Sequence, residues 1–280
     1  MKDKQLRKIQ MVSCDLNGTL VHQHTMMDMI RVYFPHRPEQ YERAKDIFAK
    51  QTSGLLSMKQ AFDTAGPLTK GLTLRNAIEY ARSEMRFIKG FEEFILTLYK
   101  NGKYFVINST GYSVTAEVIK SLFGPEKIYG VICNRLIFAW EGNPSKTIGE
   151  NDLSDLVRDY FVNRADKALY DKIHATGKVE LGIRNEEDKA MFVFELADKM
   201  NIPRTGVAHI GDTMGDSGGI CEVARNGGLG IAFNYNEALK NHLENVLKNE
   251  KIPGTIILAE PKGDRSDLRR VLNILFPDSL

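Results

Sequence analysis

From Gly90 onward the chain switches repeatedly between two hydrophobic periods, and this alternation restricts the fold more than any single residue does. Phe91, Phe94, Ile95, Leu98 and Tyr99 recur at helical spacing, with Gly102 at the stop. Tyr104-Phe105-Val106-Ile107-Asn108 is then a short apolar strand that ends in Ser109-Thr110-Gly111. Val114 to Phe123 is helical and closed by Gly124-Pro125, and Ile128 to Cys133 is the next strand. The pattern resumes after Asn185. A helix over Glu186–Met200 precedes a strand over Thr205–Ile210, and Ile220–Arg225 is again helical. Leu229–Phe233 is a strand, Asn236–Leu247 a helix and Thr255–Leu258 a strand. Ser266–Leu275 closes the chain as a helix, with Asp267 near its start, where the helix dipole favours an acid. Helices that separate strands in this way imply a parallel sheet with crossover connections, an α/β fold.

The same class of strand opens the chain. Ile9-Gln10-Met11-Val12-Ser13-Cys14 is apolar enough for a buried strand and stops at Asp15. Gly18 lets the chain turn, and Asn17 and Thr19 can hydrogen-bond the turn backbone. A carboxylate at the carboxyl end of a parallel strand lies where open α/β sheets bind ligands. After Leu20 the period becomes helical. Met26–Phe34, Glu39–Thr52, Ser57–Thr64 and Thr73–Met85 each carry an apolar face, and no strand pattern appears between Val21 and Arg86. The expected organisation is an α/β core of residues 1–20 and 90–280 with a small all-helical cap inserted at 21–89. Leu136–Trp140 reads as a separate strand, and Asp152–Ile173 as one amphipathic helix carrying Leu153, Leu156, Val157, Tyr160, Phe161 and Leu169. That helix packs either on this chain's own core or on a second copy.

Composition excludes several classes. With 42% hydrophobic and 26% charged residues, the chain can bury a core of ordinary soluble type. A net charge of +2 gives no nucleic-acid footprint, and the basic start (Lys2, Lys4, Arg7, Lys8) is too short to act as one. No apolar run reaches membrane-spanning length and no apolar segment follows the basic start, so a cytoplasmic location is expected. Cys14, Cys133 and Cys221 are odd in number and lack metal-binding spacing, which points to reduced, packed thiols.

Four features fall at strand ends or helix starts: Asp15, Ser109-Thr110, Lys189, and Asp212 with Asp216. Each alone is ordinary in an α/β protein. In this order, each after the appropriate element, the set resembles the haloacid-dehalogenase superfamily of phosphatases. Asp15-Leu16-Asn17-Gly18-Thr19-Leu20 is similar to that family's Asp-x-Asp-Gly-Thr-Leu motif. Ser109, Lys189 and Gly211-Asp212-x-x-x-Asp216 match its second, third and fourth motifs. The helical insert between the first two motifs is similar to that of the phosphoserine-phosphatase-like group.

The resemblance implies a Rossmann-like core and a magnesium-dependent phosphohydrolase acting on a small phosphorylated metabolite. Asp15 is implied as the nucleophile that forms an aspartyl-phosphate. Magnesium (Mg2+) would be held by Asp15, the Asn17 carbonyl, Asp212 and Asp216, and the phosphate by Ser109, Thr110, Gly111 and Lys189. No nucleic-acid or membrane partner is implied, and the oligomeric state is open. One position departs from the pattern. Where the family has a second acid that protonates the leaving oxygen and activates water, this chain has Asn17, and general acid–base catalysis is typically worth ~10²–10⁴ in rate. Three readings remain at this stage: a native Asn with slow turnover or good leaving groups, an Asp→Asn exchange introduced to trap a complex, or a phosphate binder without turnover. Phosphoryl transfer to an acceptor other than water also tolerates the loss. The family's substrate-binding cap Glu falls near His24 and its cap Arg near Lys59-Gln60-Ala61-Phe62-Asp63, so neither group is clearly kept. His22 and His24 either face substrate or simply occupy a helix entry.

Overall fold

The computed structural model describes residues 9–52, 55–162, 167–263 and 265–277. The basic start Met1–Lys8 lies outside them. β1 (Met11–Cys14) is buried at every position, as its unbroken apolar run requires. The described residues before the next strand form helices: α1 (Thr25–Tyr33), α2 (Pro38–Thr52), α3 (Met58–Ala65), a 3₁₀ turn (Gly66–Thr69) and α4 (Leu74–Ser83). Ser57 starts α3 with a reciprocal capping box to Gln60, and the Thr73 hydroxyl caps α4 by accepting from Asn76 N–H. α5 (Phe91–Lys100), β2 (Tyr104–Tyr112), α6 (Ser113–Phe123) and β3 (Gly130–Trp140) follow. Then come β4 (Asn143–Thr147), α7 (Glu150–Val162), α8 (Ala168–Asp171) and β5 (Ile173–Glu180). The chain ends with α9 (Asp188–Lys199), β6 (Val207–Gly211), α10 (Ser217–Arg225), β7 (Leu229–Tyr235), α11 (Glu237–Asn249), β8 (Thr255–Pro261) and α12 (Arg269–Leu275).

The strands form one sheet in the order β4-β3-β2-β1-β6-β7-β8, with β5 also paired to β3. Every pairing from β3 across to β8 is parallel, as the alternation requires, whereas β4 and β5 run antiparallel to β3. The order turns back at β1: β2 pairs on one side and β6 on the other, with Cys14 in register with both Ile107 and Ile210. The loops after β1 and β6 therefore leave the sheet side by side, at the switch point where such sheets place ligands.

Three expectations need correction. Ile128–Cys133 and Leu136–Trp140 are not two strands but one, β3. The polar Cys133-Asn134-Arg135 step resembles a loop in sequence, yet Asn134 is fully buried and satisfied. Its Nδ2 donates to the Thr110 carbonyl (3.0 Å) and its Oδ1 accepts from Ile183 N–H (2.9 Å). Beyond it β3 outruns its parallel neighbour and pairs with β5. The helix expected over Asp152–Ile173 stops at Val162, and Ile173 begins β5, whose burial alternates over Ile173–Ala175–Gly177. Residues 163–166 lie outside the described set. Finally, α12 starts at Arg269 rather than Ser266, because the Ser266 hydroxyl is engaged in a turn, donating to Asn234 Oδ1 (2.7 Å).

α7 buries Leu153, Val157 and Tyr160 in the main core of this chain, which decides between the two packings weighed for it. β5 also ties to the helical insert: Gly71 N–H donates to the Ala175 carbonyl (3.0 Å), and Ala175 N–H to the Leu72 carbonyl (2.7 Å). Gly177 has φ +84°, and a Cβ on Gly66 would fall 2.6 Å from its carbonyl oxygen, so the two glycines permit a backbone-to-backbone approach. The three cysteines are free. No helix among the described residues is long and apolar enough to cross a membrane.

Candidate active site

The four ionisable residues singled out by sequence converge. Asp15 follows β1 and Asp212 follows β6. Asp216 ends the short 3₁₀ turn Met214–Asp216, and Lys189 sits in the first turn of α9. Carboxylate oxygens of Asp15, Asp212 and Asp216 all lie within 4.8 Å of one another, and all three residues are buried. Lys189, 1% exposed, donates to Asp15 Oδ1 at 2.8 Å and to Asp216 Oδ1.

Local sequence explains each placement. The turn leading into α9 is held by side chains: Asp188 N–H donates to Asn185 Oδ1 (3.0 Å), and Asp188 Oδ2 accepts from the N–H of Arg184 (2.7 Å) and Asn185 (3.2 Å). Asp216 Oδ2 accepts from the backbone N–H of Asp212 (3.1 Å) and Thr213 (3.2 Å), so its carboxylate folds back on its own loop. Gly18 has φ +83°, and a Cβ there would fall 2.1 Å from Asp212 Oδ2. Only glycine admits the close approach of the first and fourth motif loops.

The electrostatics are those of crowded acids around one ammonium. Burial, followed by repulsion from Asp216, pushes the Asp15 carboxyl up to about 6, although Lys189 and a hydrogen bond from Ser109 oppose this. Burial, then Asp216 and Asp15, raises Asp212 well above the ordinary carboxylate range. Burial also works against the charged form of Asp216, but Lys189 and His209 outweigh it and hold the acid low. Lys189 pays the same desolvation penalty, yet Asp15 and Asp216 together raise its pKa. Three buried carboxylates thus face one cation, and Asp212 has no ion-pair partner among the described residues. An all-oxygen donor set with surplus negative charge fits a hard divalent cation.

Behind the acids lies a polar layer that sequence reasoning missed. Ser13, Asn108 and His209 are each 0% exposed in otherwise apolar strands. Asn108 Nδ2 donates to Ser13 Oγ (3.0 Å) and to the Lys189 carbonyl (2.8 Å). Ser13 Oγ and His209 Nδ1 share a hydrogen bond at 3.0 Å, and His209 Nε2 faces Asp216 Oδ1 at 3.7 Å. Burial lowers the His209 pKa, so the ring is neutral. The usable signal was present in the sequence: polar residues at positions where a buried strand should be apolar.

Above the acids is a cavity of about 200 Å³, lined by Asp15, Asn17, Lys189, Asp212 and Asp216 on the core side. The helical insert contributes His22, Gln23, His24, Gln51, Thr52 and Met58 to the opposite wall. Glu186 and Lys262, neither anticipated from the sequence, also line it. Of the four expected phosphate-binding residues, Thr110 and Lys189 reach the cavity. Ser109 is fully buried beneath it, and Gly111 N–H donates to Ser109 Oγ (3.1 Å). Asn17 Oδ1 accepts from Thr25 N–H at 2.9 Å and so caps α1. His24 is a helix-entry residue and also part of the wall. Its ring lies 4.9 Å from Phe48, and burial pushes its pKa down to about 4.

No family model matches the chain. A phosphoserine phosphatase from Archaeoglobus fulgidus is 21% identical over 248 residues, which is 89% of this chain and 59% of that protein. The chain therefore spans a little over half the length of this curated relative. A phosphoserine phosphatase solved as a phospho-aspartyl intermediate analogue superposes with a TM-score of 0.64 at 20% identity, covering 95% of this chain and 98% of that one. A HAD-family hydrolase from Salmonella enterica serovar Typhi gives 0.64 at 16% identity, covering 96% and 72%. The chain shares the fold of these phosphoserine phosphatase and HAD-family hydrolase structures.

Proposed function

We propose that the chain is a phosphohydrolase acting on a small phosphorylated metabolite, with Asp15 as nucleophile. The observation that carries this reading is the convergence of Asp15, Asp212 and Asp216 on one point with Lys189 against them. Asp15, the Asn17 backbone carbonyl, Asp212 and, through water, Asp216 would hold magnesium. When bound, such a cation offsets the repulsion between a carboxylate nucleophile and an anionic phosphate. The rest falls to this chain's own groups. Asp15 Oδ attacks phosphorus in line, the bond to the leaving oxygen breaks, and the electron pair departs with that oxygen. Lys189 stays against Asp15 throughout and stabilises charge that builds on the transferred group. Asn108 of the buried Ser13–Asn108–His209 layer holds the Lys189 backbone, so the ammonium arrives preorganised. Water then displaces the aspartyl ester and restores the carboxylate.

Among the described residues, nothing on the insert wall carries a fixed charge: it offers Gln23, Gln51, Thr52, Met58 and two imidazoles, of which His24 is held neutral. An acid and an arginine suited to an amino-acid head group are not paired there, which argues against L-phosphoserine as the substrate. A second reading, phosphoryl transfer to an alcohol, is favoured by one observation, that the residue beside the nucleophile is an amide and supplies no base for water. Phosphate release from a panel of monoesters with magnesium tests the first reading, and transfer of label to added glycerol tests the second. Inactivity of the wild type and of Asn17→Asp alike, in both assays, overturns both.

A further inference from the structure

The orientation of the Asn17 amide is fixed by its partner. Thr25 N–H can only donate, so the atom 2.9 Å from it is the carbonyl Oδ1. The other end, Nδ2, is then the one directed away from α1. It lies on the side of Gly111, where a Cβ would come within 3.0 Å of it. It has no hydrogen-bond partner among the described residues, although Asn17 lines the cavity beside Asp15 and Thr110. An amide N–H₂ without a partner among the described residues is thus carried beside Gly111 by a residue that lines the cavity with Asp15. In-line attack by Asp15 drives the leaving oxygen away from the acids and toward the insert wall, into the reach of Asn17.

Resting on the phosphohydrolase reading, we propose that Asn17 Nδ2 is a hydrogen-bond donor to a leaving oxygen that departs unprotonated. The substrate class is then a phosphate joined to a group that is stable as an anion: an acyl phosphate, a phosphoanhydride or an aryl ester. The balance closes without an acid. As Asp15 Oδ bonds to phosphorus, the phosphorus–oxygen bond breaks and its electron pair leaves on the oxygen, which receives a hydrogen bond but no proton. In the second half, water bonds to phosphorus and the aspartyl oxygen leaves as carboxylate. The proton of the water stays on the product as dihydrogen phosphate, so no protein base is consumed. Besides the acids and Lys189, the titratable groups lining the cavity are His22, His24, Glu186 and Lys262. His24 is neutral, and Glu186 lies by the acids, 3.4 Å from the Ser217 hydroxyl. An amide donor suits this role because it strengthens as charge develops on oxygen and cannot itself ionise.

The test is a leaving-group series, from acetyl phosphate and 4-nitrophenyl phosphate through phenyl phosphate to glycerol 3-phosphate, with magnesium. Wild type, Asn17→Asp and Asn17→Ala are compared by kcat/KM. The expected wild-type profile is steep, with the alkyl ester slowest. Asn17→Asp, which keeps the acceptor for Thr25 N–H and so the fold, raises the alkyl-to-aryl ratio by about 10²–10⁴, the usual worth of a general acid. Asn17→Ala lowers aryl turnover by about 10²–10³, as loss of an oxyanion donor does. An active wild type with a shallow profile, or an Asn17→Ala variant that keeps the wild-type aryl rate, overturns this inference alone. Absence of turnover in wild type and Asn17→Asp alike overturns the phosphohydrolase reading, and this inference with it.

Discussion

The two sides of the cavity are built in opposite ways. The core side is a set of buried ions: four groups from distant parts of the chain, gathered around one ammonium and backed by a buried polar layer. The insert side has no fixed charge and is assembled from helix ends, with His24 at the start of α1, Gln51 and Thr52 at the end of α2 and Met58 at the start of α3. Ions so crowded are poorly stable as a bare cluster. Helix ends are stable on their own account and can vary in side chain at little cost to the fold. Under the proposed function, the chemistry belongs to the core side and the choice of substrate to the insert side.

The contrast can be broken most sharply at Asp15. Asp15→Asn is expected to reduce hydrolysis of any active ester by about 10⁴-fold or more, as removal of a nucleophile does; a variant within tenfold of wild type would dissolve the distinction. Next is Lys189→Met. Removing the single ammonium strands three buried carboxylates, and urea unfolding with a chelator present should show a loss of about 3–5 kcal/mol, partly regained with magnesium. A loss under about 1 kcal/mol, the scale of an exposed pair, would mean that the cluster is far wetter than its burial implies.

The third test is pH. The Asp15 carboxyl rises on folding from 3.8 to about 6, and Asp212 is raised as well. A group held above its unfolded value adds stability that is complete below that value and is lost as pH climbs through the folded one. Asp216, held low, acts in the opposite sense: its contribution is present above its unfolded value of 3.8 and fades only as pH falls further. Chelated protein should therefore lose about 2–3 kcal/mol through Asp15 between about pH 4 and pH 7. Magnesium should flatten the curve, and a metal-independent curve would exclude a cation among these acids. The smallest effect belongs to the insert side. Ser57→Ala removes the capping box of α3 and should cost about 1 kcal/mol in thermal unfolding while leaving magnesium affinity unchanged. A matching loss of magnesium affinity would join the two sides.

The parallel core and the convergent acids were legible because both rest on local signals that tertiary structure reinforces. Asp15 and Asp212 are strand-end acids at glycine turns, and the register of β1 with β6 brings them together. Less legible was the stretch from Leu136 to Gly182. A satisfied Asn134 looks like a chain break, and the alternation of β5 is blurred by Gly177, which is there for a backbone contact rather than for a turn. The Ser13–Asn108–His209 layer was visible as three misplaced polar residues, but no local rule joins positions on three strands. The insert wall was not legible at all, since which helix ends meet over the acids depends on how the helices pack.

The seam between β5 and the insert sets the mechanics of entry. Two main-chain hydrogen bonds at Ala175 and the close approach of Gly66 to Gly177 fasten the roof of the cavity to an arm of the sheet. A roof hinged only at its two chain connections could swing freely, whereas this one has a third fastening on its far side. Admission of a ligand must therefore either carry β5 along or unzip that fastening. Molecules small enough to enter without either motion have the lowest barrier to reach Asp15.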